Sequence, residues 1–192
     1  MIMKQMGLAE KKKEMNMQRV MHDALHYFEK NGYYNTSIDK LCKGAMISRS
    51  SFFNYFGCKE KIIELIVADG LKDYKEFVYK EMEDPKDPVE SLRSCIDFHI
   101  RATVKYKNVT SVAYQMAMDN ENFKMLNREY IDVTEYAIGR VKELGSYTDK
   151  YPARWIATLI LGKCVHAFMS MKVEECREEI LDTVDRLLEM MK

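Results

Sequence analysis

Residues 36–56, TSIDKLCKGAMISRSSFFNYF, form the stretch that decides the fold of this chain. Its first half places apolar residues at helical spacing up to Gly44, which predicts one short helix. Thr36 and Asp39 have the spacing of a capping box at the start of that helix. The second half begins with Ser48, a residue type that caps helices, and predicts another short helix that Gly57 ends. Two short helices joined by so tight a turn are typical of a helix-turn-helix.

A longer helix is expected just before this stretch. Apolar residues recur at helical spacing from Val20 to Phe28, and Asn31-Gly32 supplies a stop signal. The pattern predicts a first helix of about three turns, preceded by a lysine-rich arm. The resulting three-helix unit is too small to enclose a catalytic cleft.

The rest of the chain predicts helices only. With 8 Gly and 3 Pro in 192 residues, turn-rich β structure is disfavoured, and the chain is predicted to be all-α with about nine helices. Asp87-Pro88 is a strong helix start, and a short helix is predicted over 109–118. We expect a DNA-binding domain at 1–61 and a larger helical ligand-binding and dimerisation domain at 62–192.

The charge distribution distinguishes the two ends of the chain. The formal net charge is zero, yet residues 1–61 carry 11 Lys or Arg against 6 Asp or Glu, while residues 62–192 carry 19 against 24. A basic head on an acidic body is the asymmetry expected when one end meets phosphates.

Several functional classes find no support in the sequence. The five cysteines are scattered without CxxC spacing, which argues against a disulfide framework or a four-cysteine zinc site and favours a reducing cytoplasm. The first residues are charged, and no apolar run is long enough to span a membrane. Nucleophile elbows and Gly-rich phosphate loops are missing. We therefore expect no enzymatic activity, catalytic residue, metal, cofactor or membrane association.

The second short helix carries the residues suited to DNA. In a helix-turn-helix the N-terminal residues of that helix enter the major groove, and here they are Ser48, Arg49, Ser50 and Ser51. The Arg49 guanidinium is able to bind a guanine edge in bidentate fashion. Ser48 is equally explained as a helix cap alone.

The same segment resembles the N-terminal signature of TetR family repressors. The resemblance covers about the first third of the chain and rests on Phe28, Gly32-Tyr33, Thr36-Ser37-Ile38, Leu41, Ala45-Met46-Ile47-Ser48, Ser51-Phe52-Phe53-Asn54-Tyr55-Phe56 and Lys59-Glu60-Lys61-Ile62. It implies that Thr36, Tyr55 and Lys59 contact DNA phosphates and that residues 48–54 form the recognition helix. The predicted DNA-contacting residues are Thr36, Ser37, Ser48, Arg49, Ser50, Ser51, Phe53, Asn54, Tyr55 and Lys59.

Two positions depart from the family pattern. Phe53 stands where Tyr is common, which removes one hydroxyl from the DNA-facing helix. Cys58 stands where Ser is common, and a thiol beside Lys59 at a helix start is a candidate oxidant sensor, although a small cap is the simpler explanation.

The resemblance also implies a homodimer formed by the last two helices and a small-molecule inducer bound in the body. Aromatic and methionine side chains in the body favour a flat or hydrophobic inducer, although each is also explained by core packing. The candidate pocket residues are His99, Tyr106, Tyr114, Met118, Phe123, Tyr130, Trp155 and Phe168.

The sequence thus predicts a ligand-responsive repressor that binds a palindromic DNA operator as a homodimer. One alternative is a helical small-molecule-binding or enzymatic protein in which the first three helices are scaffold. Another is a metal- or redox-sensing regulator of the same fold, using Cys58 or the His22/His26 pair, whose spacing places both side chains on one helix face.

Overall fold

The computed structural model describes residues 7–145, 147–148, 150–170 and 173–192. All regular structure in these ranges is helical, which confirms the all-α prediction. The helices are α1 (Leu8–Asn31), α2 (Ile38–Gly44), α3 (Arg49–Phe56), α4 (Glu60–Glu81), α5 (Pro88–Lys105), α6 (Lys107–Met116), α7 (Glu121–Leu144), α8 (Ala153–Ser170) and α9 (Val173–Met191). No helix in the described part of the chain is long and apolar enough to cross a membrane.

The helices fall into two compact units, with the boundary inside α4. The first unit contains α1, α2, α3, the start of α4 up to Val67, and α6. The second unit contains the remainder of α4 together with α5, α7, α8 and α9. The assignment of DNA binding to 1–61 and of ligand binding and dimerisation to 62–192 stays a prediction.

The first helix is longer than predicted. It begins at Leu8 and has 24 residues, so the predicted lysine-rich arm is wrong for the described residues, which are helical. The Glu10 carboxylate accepts a hydrogen bond from the Gly7 backbone N–H at 3.0 Å, which caps the helix start. Only the second half of α1 is buried, from Val20 to Phe28.

Serine side chains cap both helices of the helix-turn-helix. Ser48 Oγ accepts from the Ser51 backbone N–H at 3.0 Å, as predicted. Ser37 rather than Thr36 caps α2, by accepting from the Lys40 backbone N–H at 3.2 Å. The capping role predicted for Thr36 is therefore wrong, because its buried hydroxyl donates to the Gly32 carbonyl at 2.9 Å.

The turn between α2 and α3 is held against α1. A Cβ on Gly44 would lie 3.1 Å from the Tyr27 ring, so the end of α2 approaches α1 more closely than most side chains allow. Met46, in the turn, adopts a left-handed conformation with φ 52°. This residue is 79% exposed. Arg19 of α1 donates to the Ala45 carbonyl at 3.3 Å. These contacts fix the angle at which α3 leaves the turn.

Lys59 connects the loop between α1 and α2 to the start of α4. Its ammonium donates to the carbonyls of Tyr33 at 2.9 Å and Thr36 at 3.1 Å, and it lies 4.0 Å from the centroid of the Tyr33 ring. Burial lowers the pKa of Lys59, against the opposing effect of Glu60. Because each carbonyl accepts a charged donor, the contact is stronger than an ordinary loop hydrogen bond.

The first unit also includes α6, which is attached to α1 through one carboxylate. Glu29 accepts from the backbone N–H groups of Asn108 at 3.2 Å and Val109 at 2.9 Å. The Asn108 side-chain amide returns a bond to the Glu29 carbonyl at 2.8 Å. A carboxylate at a helix N terminus is favoured by the helix dipole. Helix α6 spans Lys107–Met116, so it begins and ends two residues earlier than the predicted range 109–118.

The second unit has an aliphatic core between α5, α7, α8 and α9. The fully buried side chains include Ile96, Ile138 and Ile156, one from each of α5, α7 and α8. Asp87 caps α5 by accepting from the backbone N–H groups of Val89 and Glu90, as predicted. Ion pairs link α5 to α9, between Arg177 and Asp97 and between Arg93 and Asp185.

An aromatic cluster lies beside this core and consists of Tyr74, Phe77, Phe98, His99 and Tyr130. The rings of His99 and Tyr130 are 5.1 Å apart, and each lies within 5.6 Å of the Tyr74 ring. The Tyr74 hydroxyl is 3.0 Å from the Thr134 hydroxyl. Burial lowers the pKa of His99 to about 4, so its imidazole is neutral at physiological pH.

Replacing Lys59 by Ala should destabilise the protein. The variant leaves two loop carbonyls without their charged donor, and we expect a loss of about 2 kcal/mol in a urea unfolding series. Lys61→Ala is the matched control, since Lys61 forms an ion pair with Glu64 one turn away on the same helix, and should change stability by less than about 0.5 kcal/mol. Equal effects of the two substitutions would contradict the structural role of Lys59.

Stability should fall as the pH is lowered from 6.5 towards 4, in part because of His99. The folded state holds this imidazole neutral, whereas the unfolded chain protonates it below a pKa of about 6.5, so protons favour unfolding in this interval. We expect His99→Gln to lose less stability than wild type between pH 7 and pH 4, measured by thermal melts across the series. Parallel curves for the two proteins would show that His99 carries no such penalty.

Candidate nucleic-acid interface

One face of α3 is presented to solvent and the opposite face is buried. Phe52 and Phe56, four residues apart, pack into the first unit. The exposed face carries Arg49, Ser50, Phe53 and Asn54, all of them predicted DNA contacts. Because the two phenylalanines fix the rotation of the helix, the polar residues at its N terminus must point outward.

Arg49 is paired with an exposed carboxylate in the free protein. Its guanidinium lies 2.6 Å from the Asp39 carboxylate of α2, and the side chains are 60% and 66% exposed. A surface pair of this kind contributes at most about 1 kcal/mol. Arg49 is therefore held near the N terminus of α3 and stays available for another partner.

Four of the predicted residues line one surface hollow at the start of α2. They are Thr36, Ser37, Phe53 and Lys59, with Cys58 at the same hollow. The side chain of Thr36 is completely buried, and Lys59 directs its ammonium at two backbone carbonyls. These two residues shape the hollow, whereas Ser37 and Phe53 are exposed at its surface.

Tyr55 connects α3 to the first half of α1. Its hydroxyl accepts from the Asn16 side-chain amide at 3.2 Å, and the Lys13 ammonium lies 6.0 Å from the centroid of its ring. Neither Asn16 nor Lys13 was among the predicted site residues. The contact joins positions 39 residues apart, and the lysine-rich composition of this segment was the only sequence signal for it.

The predicted pocket residues differ in burial and surroundings, and their role in a shared pocket stays a prediction. His99 and Tyr130 meet in the aromatic cluster, and Phe123 is buried in the second unit. Phe168 lines a small hollow of about 10 Å³ with Cys164 and Cys176. Met118 and Trp155 are exposed, at 76% and 43%. Tyr106 and Tyr114 belong to the first unit.

The residues considered for sensing, His22, His26 and Cys58, are all exposed. His22 is exposed beside Asp23, and Cys58 is an exposed free thiol. Within the described ranges no three His, Cys, Asp or Glu side chains are grouped as a metal site requires.

Comparisons with known proteins agree with this geometry. Residues 20–66 match the family described as "Bacterial regulatory proteins, tetR family". The chain is 26% identical over 102 residues to the HTH-type transcriptional regulator HbdR of Aromatoleum sp. strain CIB, covering 53% of this chain and 44% of that one. It is 25% identical over 144 residues to the regulator EthR of Mycolicibacterium smegmatis, covering 72% and 66%. The chain thus spans less than two thirds of either curated relative.

The structural match to a solved protein covers more of the chain than either sequence match does. The crystal structure of Thermus thermophilus FadR, a TetR family transcriptional repressor in complex with lauroyl-CoA, superposes with a TM-score of 0.73 at 19% identity. The match covers 92% of this chain and 95% of that one. Residues 20–66 thus carry the family signature of TetR-type bacterial regulatory proteins, and the chain shares the fold of a TetR family repressor over most of its length.

Proposed function

We propose that the protein is a sequence-specific DNA-binding repressor that acts as a homodimer and is released from its operator by a small molecule. The observation that carries this proposal is the outward face of α3, with Arg49 at the N terminus of a short, capped helix. The curated relatives named above are transcriptional regulators, and none is named as an enzyme.

The recognition step follows from the chemistry of α3. Arg49 exchanges the Asp39 carboxylate for the edge of a guanine, which offers two acceptors to the guanidinium fork. Ser50 and Asn54 are short polar side chains on the same exposed face, so the backbone of α3 is able to approach the bases closely. The basic charge of residues 1–61 supplies the attraction to phosphates that does not depend on sequence.

Dimerisation is supported by an apolar stripe on α8. The stripe consists of Trp155, Leu159, Gly162, His166 and Met169, which are separated by four and three residues in turn and all retain solvent-accessible surface in the single chain. This spacing is the coiled-coil repeat, and a glycine in it permits close approach of a second helix. The apolar residues of α9, such as Ile180 and Val184, are buried within the chain. We therefore assign the larger part of the interface to α8.

The aromatic cluster is our candidate for inducer binding. Its neutral His99 and the Tyr130 ring combine apolar walls with polar atoms, a surface suited to a flat or hydrophobic molecule. FadR of Thermus thermophilus was crystallised with an acyl-CoA, a molecule with a hydrophobic chain.

The polypeptide itself links the candidate ligand site to the DNA-binding unit, because α5 is followed directly by α6. Helix α5 of the second unit continues into α6 of the first through Tyr106, and Glu29 fastens α6 to α1. A ligand that favours a different position of α5 therefore acts on the first unit through α6. Release follows if the ligand-favoured state binds the operator less tightly.

Replacing Arg49 by Ala should reduce operator binding without unfolding the protein. We expect the affinity for an operator duplex to fall by about 5- to 150-fold, the range for removal of one bidentate hydrogen-bonded pair with a base, while affinity for unrelated duplex changes less. Fluorescence anisotropy titrations at several salt concentrations measure both. Arg128→Ala, an exposed arginine of α7, is the control and should stay close to wild type. Unchanged operator affinity in Arg49→Ala would remove the main support for this proposal.

A charge within the α8 stripe should separate the dimer. Leu159→Asp would place two carboxylates, one from each protomer, in an apolar contact. We therefore expect a monomer in sedimentation velocity and a lower affinity for an operator with two half-sites. Met125→Asp alters an exposed apolar residue of α7 and should remain dimeric. A dimeric Leu159→Asp protein would exclude α8 as the interface.

A further inference from the structure

The first half of α1 is exposed to solvent along most of its length. We call residues 8–19 the α1 extension. None of its residues is buried, and Leu8 and Met15 are 87% and 66% exposed. A helical segment with little packing is marginal in water, so burial of apolar surface does not account for residues 8–15.

The α1 extension carries an excess of positive charge near the N terminus of a helix. It holds Lys11, Lys12, Lys13 and Arg19 against two acidic residues. The acidic side chains serve the helix itself, since Glu10 bonds the Gly7 N–H and Glu14 accepts from Gln18. In the described part of the chain, the three lysines form no ion pair with a carboxylate. Their charge has the same sign as the N-terminal end of the helix dipole, which favours an external anion.

The α1 extension runs beside the recognition helix. Asn16 donates to the hydroxyl of Tyr55, which lies at the C-terminal end of α3. Lys12 and Lys13 precede Asn16 by four and three residues and therefore share its face of α1. The position of the Lys13 ammonium near the Tyr55 ring agrees with this. From Asn16 the helix continues for about 12 Å to Leu8.

We propose that the α1 extension is a second contact with the DNA backbone, in which Lys12 and Lys13 bind phosphates beside the groove that α3 enters. This inference rests on the proposed DNA-binding function and adds a site outside the helix-turn-helix. The extension has three large apolar residues, Leu8, Met15 and Met17, which are too few to favour a lipid surface over a polyanion. The contact is with phosphate, so it strengthens binding to all sequences alike.

The test compares Lys12→Gln/Lys13→Gln with Lys72→Gln/Lys75→Gln, a pair of exposed lysines on α4 in the second unit. Glutamine keeps much of the length and the helix propensity of the side chain while removing its charge. The probes are a duplex selected by the wild-type protein from a random pool and an unrelated duplex. Affinity for each is measured across a salt series.

We expect the Lys12/Lys13 variant to lose affinity for both duplexes by a similar factor, at least about fivefold in low salt. The slope of log affinity against log salt should become shallower by about 0.9 for each phosphate that the variant no longer neutralises. The α4 variant should match wild type. If the Lys12/Lys13 variant keeps the wild-type slope and affinity, the inference is overturned while the proposed function stands.

Ethylation interference on the wild-type complex provides a second readout that does not depend on a variant. Ethylated phosphates flanking the α3 footprint should block binding, and interference confined to that footprint would overturn the inference. If the wild-type protein shows no salt-dependent DNA binding at all, the proposed function itself fails.

Discussion

The Lys59 ammonium is the contact on which the geometry of the first unit depends. By donating to the carbonyls of Tyr33 and Thr36, it fastens the loop before α2 to the start of α4. The same loop buries Thr36, whose hydroxyl closes the end of α1 through the Gly32 carbonyl. Without this charged connection the loop before α2 would be joined to the start of α4 mainly by packing. Lys59 therefore has a structural role in the free protein, and its contact with a DNA phosphate stays a prediction.

Helix α3 has a buried apolar face and an exposed polar face. Phe52 and Phe56 supply the anchoring, and this allows Arg49 and Asn54 to face solvent with no part in the core. Asp39 holds Arg49 in the absence of DNA through an exposed ion pair. Such a pair costs little to break, so the Arg49 guanidinium is able to leave Asp39 for another acceptor.

Local signals in the sequence predicted most of the helices. Ser48 and Asp87 were correctly placed as caps because a cap involves only neighbouring residues. The assignment of Thr36 as a cap was wrong because its buried hydroxyl donates backwards to the Gly32 carbonyl, which leaves Ser37 to cap α2. The start of α1 was misplaced because no apolar periodicity marks residues 8–19, none of which is buried.

The candidate sites were predictable to different degrees. The exposed face of α3 followed from its motif, whereas the contact between Asn16 and Tyr55 depends on how two helices pack. In the second unit, composition suggested an aromatic pocket, and His99 and Tyr130 of the proposed set meet in the aromatic cluster. Aromatic residues at helical spacing indicate burial, and composition alone does not show which of them meet.

Guanine methylation interference on the wild-type complex tests the central claim most directly, because methylation at N7 blocks the acceptor that an arginine in the major groove uses. The account predicts interference at guanines in two major-groove segments on one side of the duplex, about 34–36 Å apart, as two α3 helices of a dimer require. Binding that is indifferent to N7 methylation throughout the site would contradict it.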